Sequence, residues 1–276
     1  MSKRLKFALA CLACGWAFPA PANDLFHPVP SAQMRELSTD RPDKTESPVT
    51  VDAGHWQFET DLISFHREQA DGLRSDAWAV DAFNLKAGLL DNMDLQLVFE
   101  PIDGQRTEDL ASGETHSVQG QGDLLFRLKI HLYDGQGLIP TFGLMPFIKS
   151  PTAAEGLGNG VSEAGLILPF GWDLPAGFSL GCMAEFDQAL NSTGSGSHID
   201  SIASASLSHG LFGSVEGYVE LWTQISGEGG VEGQSTLDGG LTWEVVPNVQ
   251  LDAGVNAGLT AASEDLNPFA GLSLRH

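Results

Sequence analysis

Basic residues are scarce in this chain: 14 lysines and arginines stand against 36 aspartates and glutamates. Such a balance repels phosphate, so nucleic acid is not expected as a partner, and cations are attracted instead. Cysteine is nearly absent. Cys11 and Cys14 fall in the N-terminal stretch and only Cys182 lies beyond it, so a chain trimmed of that stretch can form no internal disulfide. After the N-terminus no run reaches the roughly 18 apolar residues of a helical membrane span. Long runs at helical spacing are missing too, and 32 glycines argue against a helical protein. There is no G-x-S-x-G elbow and no H-E-x-x-H pair. The eight histidines are scattered, and no Cys/His spacing suits zinc. No cofactor and no metal site are therefore expected, and the chain is not expected to be an enzyme.

What the N-terminus does have is the order of a secretory signal. "MSKRLK" is positive, "FALACLACGWAF" is apolar and "APA" ends at Ala22, a small-residue cleavage site. Residues 1–22 are read as a signal peptide cut after Ala22. The remaining chain keeps 11 basic residues against 36 acidic ones, a net charge of −25.

From Gly54 onward the sequence alternates. In "HWQFETDLIS" Trp56, Phe58 and Leu62 face one way, and Gln57, Glu59 and Asp61 the other. The same period of two recurs in "DLQLVFE", "DLLFRLKIHLY", "GFSLGCMAEFDQ" and "VQLDAGVNAGLT", as strands with one apolar face require. Tight turn chemistry at Asp91-Asn92, Asp134-Gly135, Pro175-Ala176-Gly177, His209-Gly210 and Pro247-Asn248 alternates with longer polar breaks near 67–76, 103–121, 152–162, 189–198, 226–235 and 261–266. Short turns at one end and long loops at the other predict an all-β transmembrane antiparallel barrel. Twelve strands are expected, near 54–66, 77–89, 94–101, 122–132, 138–149, 163–173, 178–188, 199–208, 213–224, 235–246, 249–260 and 267–276. Trp56, Trp172 and Trp243 fall near the short-turn end on the less polar face, as an aromatic girdle would. Pro146 and Pro169 lie inside expected strands and suggest bulges. A face switch between Trp78/Val80 and Phe83/Leu85 predicts a bulge near Ala82 that turns Lys86 inward.

Ahead of the barrel, residues 23–53 read as a periplasmic strap, and 54–276 as the barrel itself. The strap holds "TDRPDKTESPV", in which Pro42 and Pro48 stiffen the backbone. Docking in the periplasmic mouth, with Arg41 paired to acids inside, and a solvated leader both remain open.

The stretch "TDRPDKTESPVTVDAGHWQFE" resembles the N-terminal signature of the outer-membrane transporter family named after the MetA pathway of phenol degradation. Thr39, Asp40, Arg41, Pro42, Asp43, Ser47, Pro48, Gly54, Gln57 and Glu59 match it. "GLLDNMDLQL", "QGDLLFRLK" and "GLMPFIKSPT" are similar to the same family. The resemblance implies an outer-membrane barrel that passes small molecules.

Alternation places Glu59, Asp61, Asp94, Asp123, Arg127, Lys129, Glu185, Asp187, Glu216, Glu220 and Asp252 on the lumen face, as candidate lining of a solute path. Arg127 and Lys129 are expected to meet acids on neighbouring strands. The expected function is passage of small molecules, apolar or aromatic ones included, across the outer membrane. The expected partners are outer-membrane lipid and lipopolysaccharide, a small solute, and the barrel assembly machinery during insertion. Two other readings stand beside it. One is a barrel-embedded lipid-acting enzyme, with His131 working beside a serine. The other is an exported soluble β-sandwich that binds a ligand.

Overall fold

The computed structural model describes residues 23–70 and 72–276; the expected signal peptide lies outside them. Among the described residues, apart from two 3-10 turns, the regular structure is entirely strand. The strands are β1 (Trp56–Ala70), β2 (Leu73–Val80), β3 (Ala82–Leu90), β4 (Met93–Phe99) and β5 (Ile102–Asp109). Next come β6 (Thr115–Gly120), β7 (Leu124–Tyr133), β8 (Thr141–Ser150), β9 (Glu163–Asp173) and β10 (Phe178–Leu190). The last five are β11 (Ser197–Phe212), β12 (Val215–Ile225), β13 (Gln234–Val246), β14 (Val249–Gly258) and β15 (Leu266–Arg275).

All neighbours pair antiparallel, and β15 pairs back onto β1 to close the ring. Trp56 and His276 exchange backbone hydrogen bonds of 2.9 and 2.8 Å at the seam. Fifteen strands make twelve staves, because three staves are interrupted. β2 and β3 form one stave broken at Asp81, β4 and β5 a second, and β6 and β7 a third. Each lower strand continues in the ring while β2, β5 and β6 extend it upward beside β1. The sequence put breaks at 67–76 and 103–121, but these segments are mostly strand. Above the lipid both faces of a strand meet water, so no apolar face marks it. The face switch comes from Asp81, which takes φ 56°, and Lys86 points inward as expected.

Pro146 and Pro169 sit inside β8 and β9 without a bulge. Pro146 pairs with Leu166 and Pro169 with Met183, while on the other side of each the ladder is interrupted, at Leu128 opposite Pro146 and at Gly143 opposite Pro169, and resumes in the same register. The missing N–H costs a rung, not a shift.

The burial pattern inverts that of a soluble domain. Leu95, Phe126, Ile148, Val219, Leu221 and Leu241 stand exposed on the outer surface, while Lys86, Lys129, Gln57, Gln96, Glu59, Glu220 and Asp94 are fully buried inside. Exposed apolar area on this scale needs a lipid partner. Trp56 and Trp243 are about half exposed at the short-turn end, and the Trp172 indole donates to the Leu138 carbonyl at 3.1 Å.

Candidate functional site

Charged side chains buried this deeply must be paired, and the pairing partner is the strap. Residues 35–52 rise into the barrel as a loop and return to β1. Asp52 joins the two feet: it accepts from Arg35 Nε at 2.8 Å and lies 3.3 Å from Arg275 Nη1. Arg275 Nη2 in turn donates to the Arg35 carbonyl at 2.6 Å.

Each charge of the strap meets its opposite on the wall. Asp40 accepts from Lys129 Nζ and Lys86 Nζ, both at 2.5 Å, and Lys86 also contacts Glu59. Burial alone would raise the Asp40 pKa, but Lys129 and Lys86 outweigh it and hold the carboxyl below its ordinary range. Arg41 lies between Asp61 (2.7 Å) and Asp252 (2.6 Å). The backbone N–H of Lys44 donates to Glu220 at 2.9 Å, and its ammonium sits 3.6 Å from Asp238 and 4.6 Å above the Trp222 ring. Thr45 Oγ1 donates to Glu220 at 2.5 Å and lies 2.6 Å from the Ser204 hydroxyl. Glu46 accepts from Arg127 at 2.7 Å, and the Val51 N–H donates to Asp94 at 2.9 Å. Asp94 on β4 and Glu220 on β12 belong to staves six apart in a ring of twelve. The strap therefore bridges opposite walls.

Asp43 is the exception. Among the described residues no cation is paired with it, and burial, with Glu220 beside it, pushes its pKa up to about 8. Within the TDRPD motif, Thr39 caps the turn by donating to the Arg41 carbonyl at 2.6 Å, and Pro42 lines the space beside the strap.

Of the residues predicted to line the lumen, the structure gathers Glu59, Asp61, Asp94, Arg127, Lys129, Glu220 and Asp252 around the strap. Asp123 instead holds the β8–β9 loop, accepting from the Ala153 N–H at 2.8 Å and pairing with Lys149 at 3.3 Å. Glu185 and Asp187 face inward on β10 beyond the strap, and Glu216 lines the short-turn mouth. Two expectations are corrected. Arg127 and Lys129 pair with strap acids, not with acids on adjacent strands, because the strap fills the space those side chains point into. His131 is no partner for a serine: its Nδ1 lies 3.1 Å from the Pro48 carbonyl and its Nε2 3.0 Å from Asp134. Of the two readings of the strap, the docked one fits: Arg41 is paired to the inward acids Asp61 and Asp252.

Two features escaped the sequence reading. Inward glycines make room for the strap: a Cβ at Gly88 would lie 2.0 Å from the Asp52 carbonyl oxygen. Glycine inside a strand marks such a close approach. Gly88→Ala should push the strap off its seat while the barrel still folds. Trypsin cleavage after Lys44, slow in the parent, should become fast, whereas Gly210→Ala, with nothing within 4 Å, should change nothing. Equal cleavage of the two variants would deny the steric role.

The second feature is apolar. Met145, Ile167, Met183 and Ile202 pack together with Phe147 and Trp222, all on inward positions of β8 to β12. Beside the strap on this side lie cavities of about 420 and 610 Å³. Both are lined by Leu37, Glu216, Thr242 and Gln250 and open toward the short-turn mouth.

A closed twelve-stave barrel with an apolar outside and a polar inside is a membrane barrel of the outer-membrane type. The family model described as "Putative MetA-pathway of phenol degradation" matches residues 39–276, and the chain belongs to that family. Among curated proteins none matches. Solved barrels are similar at low identity. The NanC porin is 8% identical, covering 79% of this chain and 98% of its own, with a TM-score of 0.49. The translocator domain of the autotransporter NalP from Neisseria meningitidis is 11% identical, covering 80% and 88%, at 0.47. The beta domain of the Bordetella autotransporter BrkA is 14% identical, covering 80% and 98%, at 0.49.

Proposed function

We propose that the barrel passes small apolar or aromatic molecules across the outer membrane and that the strap is its gate. The observation behind this reading is the inward cluster of Met145, Phe147, Ile167, Met183, Ile202 and Trp222. A wall that had only to hold water and charged strap residues would have no use for it. An apolar constriction dewets and resists ions, yet gives an apolar solute a place to rest. With the strap seated, the way past is blocked between Glu220, Ser204 and Lys44. Displacing the strap joins the short-turn cavities to the outer half of the lumen. Passage then depends on lumen width, apolar contact and strap position, and needs no covalent step. Residues 1–22 serve export in this reading.

The test is current through single strap-released channels, for which Lys86→Met with Lys129→Met is suited. Small neutral aromatic solutes should block the current at lower concentration than sugars of similar size. Met183→Ser with Ile167→Ser should remove that difference. Equal block by both solute classes in the released channel would dismiss the apolar path.

A further inference from the structure

We propose that Ser64, His66 and Glu264 form a hydrolytic site on the lumen wall, with small uncharged carboxylic esters as its substrates. The site is separate from the strap. Ser64 and His66 are two apart on the inward face of β1, and Glu264 comes from the loop that joins β14 to β15. His66 Nε2 lies 3.0 Å from Ser64 Oγ, and His66 Nδ1 lies 2.6 Å from Glu264 Oε2. With the imidazole proton on Nδ1, toward the carboxylate, Nε2 is left to accept from the serine hydroxyl. This is the nucleophile, base and orienting carboxylate of acyl transfer, recognised by geometry and not by order in the chain.

A fourth group positions the serine. Asn267 Nδ2 donates to Ser64 Oγ at 2.9 Å. Its amide is oriented from behind by Asn256, whose Nδ2 donates to Asn267 Oδ1 at 2.7 Å. The other Asn267 amide hydrogen goes to the Phe65 carbonyl at 3.1 Å, so Asn267 holds the nucleophile in position beside the imidazole. The Asp265 N–H donates to the Arg67 carbonyl at 2.8 Å, which ties the loop bearing Glu264 to β1. Ser64 is buried while about a third of the His66 side chain is exposed, so a substrate reaches the pair across the imidazole edge.

The chemistry balances with water as the only co-reactant. The Ser64 oxygen bonds to the ester carbonyl carbon and its proton passes to His66 Nε2. The tetrahedral species collapses, the bond to the alkoxy group breaks, and His66 returns the proton to the leaving alcohol. Water then attacks the acyl-serine by the same route and releases the acid. Glu264, 2.6 Å from the imidazole, disfavours anionic esters. Uncharged ones remain.

The experiment uses the full-length folded barrel in detergent, with a fluorophosphonate as covalent probe and p-nitrophenyl acetate as ester. The Ser64 oxygen displaces fluoride from phosphorus, so the expected result is one labelled peptide containing Ser64. Ser64→Ala should lose both label and turnover while keeping the heat-dependent gel shift of a folded barrel. His66→Gln should slow both by about 10²–10⁴-fold. Glu264→Gln, which acts through His66, should lower kcat with KM unchanged. A folded parent barrel that takes no label at Ser64, or turnover unchanged in Ser64→Ala, would overturn the proposal.

Discussion

A barrel in which Lys86 and Lys129 are both replaced by methionine is expected to conduct ions far more readily than its parent. Both ammonium groups are buried against Asp40. Methionine keeps most of the length of the lysine stem but not the charge. Breaking a buried ion pair by removing one partner costs about 3–5 kcal/mol, because the remaining charge is left without compensation. In a sealed core that cost would fall on the whole fold. In the proposed gate the strap leaves instead, and Asp40 regains water by leaving with it. A shift of about 3 kcal/mol changes the ratio of released to seated strap by about 10²-fold. Planar-bilayer current should therefore rise, with faster tryptic cleavage after Lys44 as a second readout. The barrel should keep its heat-dependent gel shift. Unchanged current and unchanged cleavage would mean that the strap is held by something other than these charges.

The second large effect is on the outer surface. Leu221, near the middle of β12, faces lipid and is about half exposed. Arginine there should cost about 2–4 kcal/mol of folding free energy, as charged groups do near the bilayer midplane. Leu251 also faces lipid, but it lies opposite Trp243 near the short-turn end. Arginine there sits at the level of the girdle and should cost only about 0–1 kcal/mol. Denaturant titration in lipid vesicles separates the two. Equal penalties would mean that the barrel sits at another depth in the membrane.

The alternating staves were legible because lipid imposes a period of two on each strand that crosses it. Glu59, Asp252 and the other inward acids could be placed on the correct face from that period alone. Their partners could not. Asp40 meets Lys129 from 89 positions away and Arg41 meets Asp252 from 211, distances that only ring closure brings together. The stretch "HIDSIASASLSHG" alternates only weakly for a related reason. In β11 the inward residues include Ile202 beside Ser204 and Ser206, while Ala203 and Ala205 face out. Small side chains on both faces leave little contrast, and the inward ones are small because Thr45 of the strap lies against them.

The Arg35–Asp52–Arg275 clamp also bears on how the proposed gate would reset. The strap is fixed at its base on both sides. Residues 24–29 are laid against the β3–β4 turn through Leu25 N to Leu89 O (3.0 Å), and Val29 N donates to Ala53 O (3.0 Å). A released strap therefore stays in the mouth of its own barrel. A short tether of this kind holds a segment at an effective concentration of about millimolar or more. Reseating is then a first-order event, independent of protein concentration. A burst of passage would end by itself, with no second molecule needed to close the channel.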